Sequence, residues 1–118
     1  MKNYRELEVW QSSMDLVETV YKVIREFPKS ETYGLCDQLR RSIVSVPSNI
    51  AEGFGRGSTK DFVHFLFTAR GSLYEAHTQI EVAQRLGYIE SIDAISDQFN
   101  SVARRLNSLI KSLSSRIK

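Results

Sequence analysis

Residues 59–86 read TKDFVHFLFTARGSLYEAHTQIEVAQRL. In this stretch Phe62, Phe65–Leu66, Ala69, Leu73, Ala76, Ile80, Ala83 and Leu86 recur at three- and four-residue steps. That period gathers side chains on one face of an α-helix, whereas a half-buried strand would alternate every second residue. Ser58 or Thr59 is placed to cap the start, with Asp61 beside the positive helix end. Gly87 is placed to stop it. At 1.5 Å per residue the helix spans about 42 Å. Ala69, Ala76 and Ala83 repeat every seven residues, which favours close approach of neighbouring helices in a bundle. Gly71 sits mid-helix at a cost of about 1 kcal/mol relative to alanine, and a close contact with a neighbour is the expected reason for it.

A helix of that length needs apolar partners, and the rest of the chain supplies three. Over residues 9–27, Val9, Leu16, Val20, Val23 or Ile24, and Phe27 form one stripe that Pro28 ends. A second segment starts near Glu31 and runs toward Gly53 through Leu35, Leu39, Ile43, Val46 and Ile50. Pro47 interrupts it, but the apolar phase passes from Val46 to Ile50 without resetting, so one helix kinked near Pro47 is expected. Gly53, Gly55 and Gly57 then end helical order. The last segment follows a cap at Ser91 and carries Ile92, Ile95, Phe99, Val102, Leu106, Leu109, Leu113 and Ile117. All three connections are short, so consecutive helices pack antiparallel. The expected fold is all-α: a single-domain, antiparallel, up-and-down four-helix bundle over residues 1–118.

Composition narrows function mostly by exclusion. Cys36 is the only cysteine, which rules out an internal disulfide and points to a reducing cytoplasm. Beside Leu35 and three residues before Leu39, it reads as a small apolar filler. The longest uncharged stretch, residues 42–51, has ten residues and includes Pro47 and Asn49, too short and too polar to span a membrane. The start, MKNYRELEVW, places acids where a secretory signal has its apolar core. Asp61–His64 and Glu75–His77 have the wrong spacing for a carboxylate-bridged metal site, and GFGRG at 53–57 lacks phosphate-loop spacing. No enzyme, metal or cofactor is expected.

Charge is uneven. Residues 1–97 carry 11 basic and 14 acidic groups, a balance of −3. Residues 98–118 carry Arg104, Arg105, Lys111, Arg116 and Lys118 with no acid, a balance of +5. A cationic run of this kind can contact phosphates without reading sequence. Its blander role is a solvated face that balances an acidic remainder. Tyr4, Trp10, Phe54 and Phe67 exceed what one core of this size hides, which predicts self-association.

Three stretches carry a family resemblance: LEVWQSSMDLV at 7–17, FPKSETYGLCDQLRRSIVSVPSNIAEGFGR at 27–56, and FLFTARGSLYEAHTQIEVAQRLGYI at 65–89. Through them the chain resembles the bacterial 23S rRNA intervening-sequence proteins, also called the S23 type, over essentially its whole length. The resemblance implies an antiparallel bundle that assembles as a ring-like pentamer, with RNA or DNA, or another protein, as the partner. His77 departs from it, standing where a more ordinary surface residue is expected. Within the signature, Arg40, Arg41 and Arg56 are candidates to join Arg104, Arg105, Lys111 and Arg116 in binding nucleic acid. Arg41, Asn49, Glu52, Arg70 and Glu75 are candidates for a structural network that sets helix alignment, with Glu52 four residues before Arg56.

Overall fold

A computed structural model describes residues 3–117 and places them in four helices: α1 (Glu8–Ile24), α2 (Leu35–Phe54), α3 (Thr59–Arg85) and α4 (Asp93–Ser114). Short 3₁₀ turns at Tyr4–Glu6 and Lys29–Glu31 precede α1 and α2. The bundle measures 48 × 24 × 22 Å. α1 packs on α2 and α4, and α3 packs on α2 and α4, so α1 and α3 stand diagonally opposed in an antiparallel up-and-down array. The stripes read from the sequence meet along the axis. Leu16, Val20, Leu39, Ile43, Leu66, Leu73, Phe99 and Leu106 are almost wholly withdrawn from water. Burial of each such side chain contributes about 1.5–3 kcal/mol before chain entropy is counted.

α1 ends three residues before Phe27, which still reaches the core through a final turn closed by Phe27 N–H donating to the Ile24 carbonyl. α2 begins later than its apolar pattern suggests. Glu31 belongs to a separate turn, from which its carboxylate accepts the Leu35 N–H at 3.1 Å and the Tyr88 hydroxyl at 2.7 Å. The Tyr88 hydrogen bond, then that from Leu35, holds the Glu31 carboxyl below its ordinary pKa. The same bond to Glu31 pushes the Tyr88 hydroxyl above its own. This one side chain caps α2 and ties it to the loop after α3. Cys36 is buried at the start of α2, and burial pushes its thiol pKa up.

α3 follows its reading closely. Ser58 Oγ accepts the Asp61 N–H at 3.1 Å. At the far end Gly87 adopts φ +81°, while Tyr88 N–H reaches the Ala83 carbonyl and Gly87 N–H that of Gln84. That left-handed cap is open to glycine at no steric cost. Leu86, expected in the core stripe, lies at the reversal and is 55% exposed. Val63 is buried instead. At α4 the Ser91 hydroxyl accepts from Asp93 N–H at 3.4 Å, with Ile92 as the residue that joins the helix.

Two expectations about contacts change. No atom lies within 4 Å of where a Cβ on Gly71 would stand, so that glycine permits no close approach inside the chain. The close approach belongs to Gly53, where an added Cβ would lie 2.6 Å from the Phe65 Cβ. Most of the aromatic surplus is also absorbed internally. Tyr4 and Trp10 meet edge to face at 5.3 Å, and Phe54 meets Phe62 at 5.8 Å, all packed against the core. Phe67 remains 44% exposed.

Candidate nucleic-acid interface

The signature on α2 is built around a proline that the helix passes through unbroken. Pro47 has no N–H for the Ile43 carbonyl, and its ring crowds the preceding turn. Side chains of the next turn add donors to the neighbouring carbonyls. Ser48 Oγ donates to the Val44 carbonyl at 2.8 Å, and Asn49 Nδ2 donates to both the carbonyl and the hydroxyl of Ser45, each at 2.8 Å. Ser45 Oγ in turn lies 2.9 Å from Ser72 Oγ on α3. One turn toward the start of α2, Ser42 Oγ donates to Gln79 Oε1 at 2.8 Å, and both residues are buried. A seam of satisfied polar pairs therefore runs between α2 and α3. Residue spacing alone does not single out Ser42 or Gln79. Their one visible signal was adjacency to core positions Ile43 and Ile80.

The signature charges are distributed along this framework. Arg41 pairs with Asp37 at 2.6 Å and faces Glu75 across an open groove floored by Ser42, Ser45 and Ser72. Glu52 pairs with Arg56 at 2.6 Å, and the Arg56 guanidinium lies 4.7 Å over the Phe65 ring. Arg70 turns to the other side of α3, donating to Asn107 Oδ1 of α4 at 3.0 Å and covering the Phe67 ring at 4.7 Å. Arg41, Asn49 and Glu75 thus border the α2–α3 seam, whereas the Glu52–Arg56 pair and Arg70 make separate contacts. His77 is half-buried, stacked on Phe99 with ring centroids 4.5 Å apart and 3.1 Å from Ser96 Oγ. The α3–α4 packing accounts for a histidine at that position.

Topology spreads the cations along the bundle. Arg40 and Arg41 lie in the first half of α2, and the Arg40 guanidinium donates to the Thr32 carbonyl at 2.9 Å. Arg56 follows the far end of the same helix, about 24 Å away along its axis at 1.5 Å per residue. Because consecutive helices run in opposite directions, Arg56 shares that end of the bundle with the start of α1 and the last turns of α4. Lys111 and Arg116 are exposed at that end, whereas Arg104 and Arg105 are exposed at the midpoint of α4. Arg104 and Lys111, seven residues apart, share the outer face of α4, while Arg105 turns toward α1 and meets Glu8 at 3.3 Å. α4 begins with Asp93 and ends with Lys111, a polarity that suits the helix macrodipole independently of any ligand.

A recess opens where the start of α1 meets the middle of α4. Leu7, Glu8 and Val9 from the entry to α1 face Arg104, Arg105, Ser108 and Leu109 of α4 around an open groove of about 470 Å³. Among the described residues, no group of three or more His, Cys, Asp or Glu side chains is placed to hold a metal ion. Likewise, no described helix is long and apolar enough to cross a membrane.

Residues 5–114 match the family described as 23S rRNA-intervening sequence protein. Among solved structures, the chain is similar to a protein of unknown function from the S23 ribosomal protein family of Bacteroides thetaiotaomicron VPI-5482, determined at 1.70 Å. The two are 24% identical and superpose with a TM-score of 0.79 over 87% of this chain and 95% of the other. At that identity the likeness speaks for the fold. No curated protein matches the chain.

Proposed function

The chain belongs to the 23S rRNA-intervening sequence protein family, and from that premise we propose that it is a non-enzymatic, oligomeric helical scaffold that binds RNA or DNA through cationic surface without reading base sequence. The observation that supports this reading is that Arg104, Arg105, Lys111 and Arg116 stand exposed along the second half of α4 and the turn after it, in a stretch from 98 to 118 that carries no acid. Arg40 and Arg41 form a second, smaller site in the first half of α2. Guanidinium groups suit phosphate because their planar fork donates two parallel hydrogen bonds. The signature residues Arg41, Asn49, Glu52, Arg70 and Glu75 act in this reading as framework, keeping α2 and α3 aligned.

Binding is expected to weaken steeply with salt, because each phosphate contact releases condensed counterions. Log affinity should fall against log salt by about 0.7–0.9 per phosphate neutralised. Replacing Arg104 and Arg105 together with alanine should reduce that slope by about 1.4–1.8 and weaken all sequences alike. Fluorescence anisotropy with labelled RNA and DNA across a salt series measures both quantities. No binding at about 50 mM salt, or binding indifferent to salt, would rule the proposal out.

A second reading, assembly through protein contacts, is supported by the outer face of α3. Phe67, Tyr74 and Val82 are 44%, 48% and 40% exposed there, with Gly71 between the two aromatics. The spacing places all four on one side of the helix, away from the core. Glycine costs helix stability, and Gly71 has no neighbour within the chain to account for it. It leaves a notch between two aromatic side chains where another helix can lie close. Sedimentation at micromolar concentration should show a particle several times the 13.5 kDa chain mass. Tyr74→Glu should shift it toward the monomer. A wild-type monomer would remove self-assembly from the proposal, including the ring-like pentamer implied by the family resemblance.

A further inference from the structure

The groove between α1 and α4 combines two kinds of surface that rarely serve the same ligand. Leu7 and Val9 form one side of its floor and the half-buried Leu109 the other, while Arg104 and Arg105 stand on its rim with Ser108 between them and the floor. Among the described residues, Arg104 has no carboxylate within ion-pair distance. Arg105 has Glu8 alone, at 3.3 Å, and that carboxylate side chain is 82% exposed. An exposed pair of this kind is weak and readily exchanged for another anion. A bare anion would satisfy the guanidinium groups and leave the apolar floor in water. An uncharged apolar ligand would cover the floor and desolvate the arginines without pairing them.

Resting on the nucleic-acid reading above, we infer that this groove seats one unpaired nucleobase of a single strand, with its flanking phosphates held by Arg104 and Arg105. A nucleotide unit carries a flat, largely apolar face and an anion a few ångströms away, matching the floor and the rim. The Ser108 hydroxyl both donates and accepts, so it can meet the polar edge of any base without selecting one. Recesses of about 300–1,000 Å³ are of the size that receives small organic groups. A duplex keeps its bases stacked and presents only phosphate to such a groove, so its binding would use the arginines and leave the floor uncovered. Preference for unpaired strands, rather than for any sequence, is therefore the property assigned to the groove.

The test compares three labelled probes of equal length at one salt concentration: a single-stranded oligonucleotide, the same strand with abasic sites, and a blunt duplex. The wild-type chain should bind the single strand roughly 10-fold more tightly than the other two, the scale of withdrawing one base face from water against an aliphatic floor. Ser108→Gln fills the groove from an exposed position with a non-aromatic, uncharged side chain and should erase that preference while leaving duplex affinity within about twofold. Glu8→Gln releases Arg105 and should raise affinity for every probe. Equal binding of the intact and abasic strands would overturn the base site while leaving general phosphate binding intact. Competition by polyglutamate as effective as by the single strand would assign the groove to an acidic peptide instead. Absence of binding to all three probes would overturn both this inference and the reading on which it rests.

Discussion

Gly53→Ala is expected to destabilise the bundle by about 1–3 kcal/mol, although glycine to alanine within a helix ordinarily gains about 0.5–1 kcal/mol. The reversal follows from contact. A methyl group at this position would stand 2.6 Å from the Phe65 Cβ, 3.1 Å from Phe62 Cδ1 and 3.3 Å from the Phe62 carbonyl oxygen. Two of those atoms are fixed by the backbone of α3, so no side-chain rotation relieves them all. The chain contains its own control. Gly71 lies in the interior of α3 with open space around it, and Gly71→Ala should show the ordinary gain. Urea denaturation of the two variants beside the wild type measures the difference. Equal effects in the two variants would mean that α2 and α3 do not approach as described.

Phe99→Ala should cost about 3–5 kcal/mol, the range for a large aromatic removed from a packed core. Phe99 is 1% exposed and heads the fully buried side chains by size. It also covers one face of the His77 ring in a near-parallel stack with 8° between the planes. Truncation would leave both a void and a half-buried imidazole facing it. Phe99→Leu keeps most of the volume and should recover more than half of the loss. Calorimetry or urea titration reads either variant, and a loss below about 1 kcal/mol for Phe99→Ala would place the side chain outside a packed core.

The architecture was legible because each helix repeats one message many times. Leu66, Ala69, Leu73, Ala76 and Ile80 are five independent votes for a single face, and all five are buried. Ends were less legible because they turn on single residues. Glu31 looked like the first turn of α2, yet its carboxylate caps that helix from outside. Leu86 continued the stripe on paper, but the chain reverses direction at that point. Contacts between helices were the least visible. Gly71 and Gly53 are identical as letters, and only the neighbouring helix distinguishes the open position from the crowded one. The Glu52–Arg56 pair was foreseen because four residues on one helix fix its geometry locally. The Ser42–Gln79 bond joins residues 37 apart and leaves no comparable trace in spacing. The candidate cations were easy to count, but their heights along the bundle depend on the direction and offset of each helix.

The polar pairs between α2 and α3 have a mechanical consequence. Aliphatic faces tolerate sliding, since a slip of one turn, about 5.4 Å, exchanges one greasy neighbour for another. The same slip would strand the buried Ser42 from Gln79 and part Ser45 from Ser72. These two helices are keyed together like a ratchet with one permitted notch.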